Sequence, residues 1–124
     1  MRQPKAIDLF SGCGGLTLGL TQAGFRVVGA VENDSLAVET YKANHKRVVI
    51  WERDIRKLTA AEVMSRLKIE LDLLAGCPPC QGFSTMTTLN VRIGQDEQND
   101  LVFEFLRFVR VLRPFALRFR SSRR

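Results

Sequence analysis

The chain has 124 residues, of which 45% are hydrophobic and 26% charged, and a formal net charge of +6. That balance suits one folded domain with its own core and excludes a chain disordered throughout. No apolar run reaches the roughly 18 residues of a membrane span, and the opening MRQPKAIDLF holds no secretory apolar core, so a cytoplasmic protein is expected. Arg118, Arg120, Arg123 and Arg124 crowd the last seven residues; without them the charge is 6 − 4 = +2, and bulk charge alone names no partner.

Lys5–Phe10 is a short apolar run that stops at a cluster of glycines, Gly12, Gly14 and Gly15. Leu16, Leu20 and Ala23 then recur at helical spacing up to Gly24. Phe25–Glu32 reads as a buried strand that ends on an acid, and Asp34 or Ser35 caps a helix carrying Ala37 and Tyr41 on one face. Val48–Glu52 is a third strand. Thr59 and Glu62 form a capping-box pattern ahead of Val63, Met64 and Leu67. Leu71–Gly76 is a fourth strand, halted by glycine and two prolines. Cys77 to Asn99 has no sustained period and reads as a long functional loop. A helix is expected from Leu101, with Leu101, Phe105, Phe108 and Leu112 as its apolar stripe and Glu104, Arg107 and Arg110 opposite. Pro114 stops it, and Phe115–Phe119 begins a fifth strand.

Strands alternating with helices predict an α/β fold with a mostly parallel sheet. Ligands of such sheets bind beyond the carboxyl ends of the strands, where the three unusual loops fall. The first, Phe10 to Gly15, has the glycines that allow close backbone approach and opens a helix whose free N–H groups suit an anionic group. Glu32, at the end of strand two, is placed to accept from ribose hydroxyls. Thr17 stands where G-x-G-x-x-G would have its third glycine, which argues against NAD. The loop after strand four, Gly76-Cys-Pro-Pro-Cys-Gln-Gly-Phe-Ser84, presents a cysteine rigidly beside an amide and a hydroxyl, as a nucleophile requires. Cys77-Pro-Pro-Cys80 also matches a C-x-x-C redox motif, which stays an alternative. Three cysteines and one histidine, His45, are a poor supply for a four-ligand zinc site, so no metal is expected; the odd cysteine count without a signal peptide argues for reduced thiols.

DLFSGCGGLTLGL, VENDSLAVETYKANH, the Asp54-Ile55 pair and GCPPCQGFS, in this order and spacing, resemble the DNA (cytosine-5)-methyltransferase family from about Ala6 to Ala116. The resemblance implies a Rossmann-like, S-adenosyl-L-methionine-dependent methyltransferase fold, incomplete at its C-terminus. It implies that Phe10, Ser11, Gly12, Cys13, Gly14, Gly15 and Leu16 line the cofactor pocket. Glu32 would hold the cofactor's ribose with Asn33 adjacent, Asp54 would accept from the adenine amino group, and Ile55 would cover the ring. Pro79 would touch the methionine side, and Leu101 would complete the pocket. Cys80 would be the nucleophile that adds to C6 of a cytosine flipped out of double-stranded DNA, with Gln81 and Ser84 near the DNA. Thr85 to Asn99 would be a catalytic loop that closes over the DNA.

The resemblance also implies what should follow the fifth strand: a Glu-Asn-Val motif, a later arginine motif, a target-recognition region and a closing helix. Ala116 to Arg124 carries none of them. Residues 1–117 therefore read as a partial catalytic domain and 118–124 as a disordered basic tail. A complementing chain or an inactive, cofactor-binding fragment are both compatible with that reading, in a bacterial or phage setting of restriction–modification, with the protein nucleoid-associated when acting on DNA.

Overall fold

A computed structural model describes residues 2–78 and 97–119. Five strands, β1 (Lys5–Leu9), β2 (Arg26–Glu32), β3 (Val49–Glu52), β4 (Leu73–Gly76) and β5 (Ala116–Phe119), form one sheet in the order β3-β2-β1-β4-β5. Every neighbouring pair is parallel. Among the described residues the helices are α1 (Gly15–Gln22), α2 (Ser35–Asn44), α3 (Ala60–Leu67) and α4 (Glu97–Leu112), with a 3-10 turn at Ile55–Lys57. From β1 the chain builds outward to β3, then returns to the other side of β1 for β4 and β5. That reversal puts a crevice at the carboxyl ends of β1, β2 and β4.

Alternation along the strands feeds two unequal cores. Ile7, Leu9, Val31 and Leu74 pack with Val63 of α3 and Phe105, Phe108 and Leu112 of α4. Ala6, Val27, Leu73 and Ala75 meet Leu20 of α1 in a smaller cluster on the other face. Gly76 ends β4 because Phe105 lies across it: a Cβ there would sit 2.8 Å from the Phe105 ring and 3.1 Å from the Leu9 carbonyl oxygen. Of the expected apolar stripe on α4, Phe105, Phe108 and Leu112 are buried and Leu101 is half-buried; outside that stripe, Phe103, Leu106 and Val111 are about half exposed.

Local signals are obeyed where a side chain satisfies the backbone directly. Asp34, not Ser35, caps α2 and accepts from the Leu36 N–H. The Thr59–Glu62 capping box forms with both reciprocal bonds. Two boundaries differ from expectation. Helix α4 starts at Glu97, four residues before Leu101, because its first turn, Glu-Gln-Asn-Asp, is polar and gives no apolar period. Strand β5 starts at Ala116, one residue after the expected Phe115, and runs to the expected Phe119, with Ala75 and Gly76 of β4 paired with Arg118 and Phe119. Phe10 leaves β1 at φ 58°, which ends the strand and turns the chain into the glycine loop. No described helix is long and apolar enough to cross a membrane.

Candidate cofactor cleft

Four strand ends converge on one cleft of about 340 Å³. Phe10 follows β1, Glu32 closes β2, Asp54 and Ile55 follow β3, and Cys77 follows β4; Asn33 and Leu101 complete the ring of expected residues on its wall. Val31, Arg53 and Arg56 also line it.

Glu32 is the hub. Its Oε1 accepts the Gly12 N–H at 2.9 Å, and its Oε2 accepts the N–H groups of Asn33 and Asp34, each at 2.8 Å. One carboxylate thus ties the glycine loop to the turn that starts α2. The Ser11 N–H to Val31 carbonyl bond, 3.0 Å, fixes the same junction from the backbone side. Asp54 is held in a comparable way: its Oδ1 accepts the Arg56 N–H at 3.0 Å as the cap of the 3-10 turn. Both acids are oriented by backbone donors, and a carboxylate keeps further acceptor capacity for ligand hydroxyl or amino groups.

The glycine loop divides its residues among different tasks. Phe10 alone of Phe10–Leu16 is part of the cleft wall. Ser11 and Gly14 are buried, Cys13 and Gly15 are exposed, and Leu16 packs against the smaller core. Gly14 caps α1 in a left-handed conformation, φ 102°, with no side-chain cap, so the first N–H groups of α1 carry no capping side chain. A Cβ at Gly14 would lie 2.5 Å from His45 Nε2. Pro79, Cys80, Gln81 and Ser84, with most of the expected catalytic loop, lie outside the described residues.

Under this loop sits a polar network that periodicity could not reveal. Thr17 Oγ1 donates to Asp8 Oδ2 at 2.7 Å and meets the Tyr41 hydroxyl at 2.9 Å. Asp8 is fully buried, and its Oδ1 has no partner among the described residues. Burial raises the Asp8 carboxyl to about 7, against the lowering effect of the Thr17 bond and with a smaller push from Glu32. Burial likewise raises the Tyr41 hydroxyl. The threonine at the place of a third glycine is therefore a hydrogen-bond junction between β1, α1 and α2. Its only sequence signal is that departure from the glycine pattern.

Two further residues escape a reading of the sequence. Periodicity assigns Arg107 to the solvent face of α4, but its guanidinium donates to the Ile55 carbonyl at 2.7 Å and to Glu104 at 2.6 Å. It anchors the 3-10 turn that presents Asp54 and Ile55. Arg53 spans the outside of the same turn, bonded to the Lys57 carbonyl and to Glu62. Arginine on an amphipathic helix reads as solvated until the partner strand is in place, and nothing local distinguishes Arg107 from Arg110.

The sheet order, the glycine loop and the acid at the end of β2 define a Rossmann-like α/β fold with a cleft suited to a nucleotide-containing cofactor. The model of the C-5 cytosine-specific DNA methylase family matches residues 4–119, and the chain belongs to that family. It is 39% identical over 110 residues to the type II methyltransferase M.NgoPII of Neisseria gonorrhoeae, covering 89% of this chain and 30% of the relative. It is 41% identical over 110 residues to M.HindV of Haemophilus influenzae, covering 89% and 34%. Among solved structures it resembles one named for a DNA modification methyltransferase encoded within an E. coli prophage, with TM-score 0.76 and 39% identity over 90% of this chain and 30% of that one. The S. pombe Dnmt2 methyltransferase gives TM-score 0.52 and 28% identity over 72% and 28%. The chain spans about a third of the length of the curated relatives it matches.

Methyltransferases of this family generally use S-adenosylmethionine. The residues present fit that group. The cleft has the volume of a small-molecule site. Beyond the next atoms of Gly12 and Gly15 there is open space, and the Ser11 hydroxyl is buried without a partner among the described residues.

Proposed function

We propose that this chain carries the cofactor-binding and nucleophile-bearing portion of a cytosine-5 DNA methyltransferase. The observation that supports it best is the convergence of Phe10, Glu32, Asn33, Asp54, Ile55 and Leu101 on one cleft at the carboxyl ends of a parallel sheet. S-adenosylmethionine, when bound, supplies an electrophilic methyl group. Glu32 would accept from its ribose hydroxyls and Asp54 from its adenine amino group, while Phe10 would line the pocket and Ile55 would cover the ring and exclude water. Gly12 and Gly15 let the backbone approach, and the N–H groups at the start of α1 face the anionic end.

Cys80 follows Cys77, a cleft residue, by three positions. Its thiolate would add to C6 of a flipped cytosine and make C5 nucleophilic enough to take the methyl group, with the sulfonium S–CH3 bond breaking and S-adenosylhomocysteine as the leaving group. The C5 proton then leaves to a base, and the thiolate is eliminated as the C5–C6 double bond re-forms. By the family resemblance, Pro79 would serve the methionine side, and Gln81 and Ser84 would serve the DNA around the flipped nucleotide. The chain's share of its relatives' length favours a further segment or second polypeptide that reads the DNA sequence and completes turnover.

Two measurements test this. Calorimetric titration with S-adenosylhomocysteine is expected to show saturable binding that Asp54→Ala weakens; no binding overturns the cofactor assignment. Duplexes of random sequence carrying 5-fluorocytosine, with S-adenosylmethionine, are expected to trap the chain covalently, and Cys80→Ser to abolish trapping. Cofactor binding without trapping assigns this chain the cofactor-binding role alone. Reversible Cys77–Cys80 disulfide formation at cellular potentials, with neither activity, favours the redox alternative.

A further inference from the structure

We propose that a basic groove at the amino-terminal end of the sheet is a second nucleic-acid site, one that takes a single strand by its phosphates and its unstacked bases. The proposal does not depend on the cofactor assignment. The connections α1–β2, α2–β3 and α3–β4 meet at this end of the molecule. Pairing of β2 with β3 begins only at Gly29 and Val49, so Arg26, Val27 and Val28 have no β3 neighbour. The notch left there opens into a groove of about 770 Å³. Seven residues of β2 run from Arg26 to Glu32, a span of about 20 Å, so one small ligand cannot occupy both the groove and the cofactor cleft.

The wall chemistry is one-sided. Lys5, Arg26, Lys46 and Arg47 line the groove, and no aspartate or glutamate does. None of these four cations forms an ion pair with a described residue, whereas Arg2, Arg53, Arg56 and Arg107 each do. Arg26, Lys46 and Arg47 are exposed. The cluster is not the local share of a uniformly basic surface, because the chain outside its last seven residues has a net charge of only +2. Apolar, half-buried residues line it as well: Phe25 and Val48 at the margin of the smaller core, and Val28, Leu67 and Ile69 at the margin of the larger one. Exposed cations without an ion-pair partner among the described residues match phosphates, and an aromatic and aliphatic lining matches the faces of unstacked bases. A duplex keeps its bases stacked inside and would use the cations while leaving the apolar lining unused.

The test is fluorescence anisotropy of the whole chain with a labelled oligothymidylate of about 12 nucleotides, which contains no cytosine. Binding should weaken with salt at a log–log slope of about −2.8, as four single-strand phosphate contacts require. Lys46→Glu with Arg47→Glu should weaken binding at least about tenfold and lower the slope by about 1.4. Phe25→Ala should weaken binding several-fold without changing the slope. Arg26→Glu provides an independent charge reversal, and unchanged circular dichroism shows that each variant is folded. Three results would overturn the proposal. One is loss of binding on replacing Arg120, Arg123 and Arg124 by Gln while the groove variants bind normally. Another is a duplex of equal length displacing the bound oligothymidylate as effectively as unlabelled oligothymidylate does. The third is displacement of the oligonucleotide by polyglutamate at equal charge concentration.

Discussion

Replacing Asp8 by asparagine isolates the electrostatic cost of the network beneath the glycine loop. The buried carboxyl keeps its proton up to about pH 7, whereas in the unfolded chain it loses it near 3.8. Between those values the unfolded state releases a proton that the folded state retains, so this group's contribution to stability falls as pH rises and is flat above about 7. At about 1.4 kcal/mol per pH unit the whole window corresponds to about 4 kcal/mol, and the part between pH 5 and pH 7 to about 3 kcal/mol. The asparagine amide would keep an acceptor for the Thr17 hydroxyl and has nothing to ionise. Urea unfolding at pH 5 and pH 8, followed by the fluorescence of the single Trp51, measures the difference. The Asp8→Asn variant should gain about 3 kcal/mol on the parent protein between the two pH values. A gap between the two proteins that is equal at pH 5 and pH 8 would refute the reasoning, because the carboxyl would then not titrate in this window.

Three other substitutions probe the site and its support. Glu32→Gln places an amide NH₂ against backbone donors; amide hydrogen exchange at Gly12 or at Asn33 and Asp34 should accelerate roughly 10- to 100-fold in the free chain, the scale of losing charge-assisted hydrogen bonds. Unchanged exchange at all three would mean that the carboxylate does not hold the loop. Gly14→Ala should destabilise by about 2–4 kcal/mol, from the left-handed backbone and the clash with His45. His45→Ala should recover part of that loss in the double variant, and a double variant no better than Gly14→Ala alone would discount the clash. Phe105→Ala should cost about 3–5 kcal/mol, while Phe103→Ala, on the same helix but 58% exposed, should stay within about 0.5 kcal/mol. Equal losses in urea denaturation would contradict the packing described for α4.

Much of the fold is legible residue by residue, because its signals are local. Asp34 and the Thr59–Glu62 pair satisfy helix N–H groups within a few residues of themselves. The β-rich runs and the glycine cluster need no distant partner to be recognised. The order of the motifs points to the family, since the chemistry requires those residue types at those loop positions. The polar first turn of α4 is invisible for the same reason, as it lacks the apolar period that marks a helix in sequence.

The tertiary structure decided which side chains work together across long sequence separations. It brought Glu32 onto Gly12, Arg107 onto Ile55, and Thr17 between Asp8 and Tyr41. It also gathered Lys5, Arg26, Lys46 and Arg47 around one groove at the opposite end from the cleft. Sequence alone determines what each segment can form and which chemistry it carries, because helix caps, strand propensity and motif residues act over a few positions. Which charges end up paired, buried or left facing solvent depends on strand order and register, and these follow from burying two faces of one sheet at once.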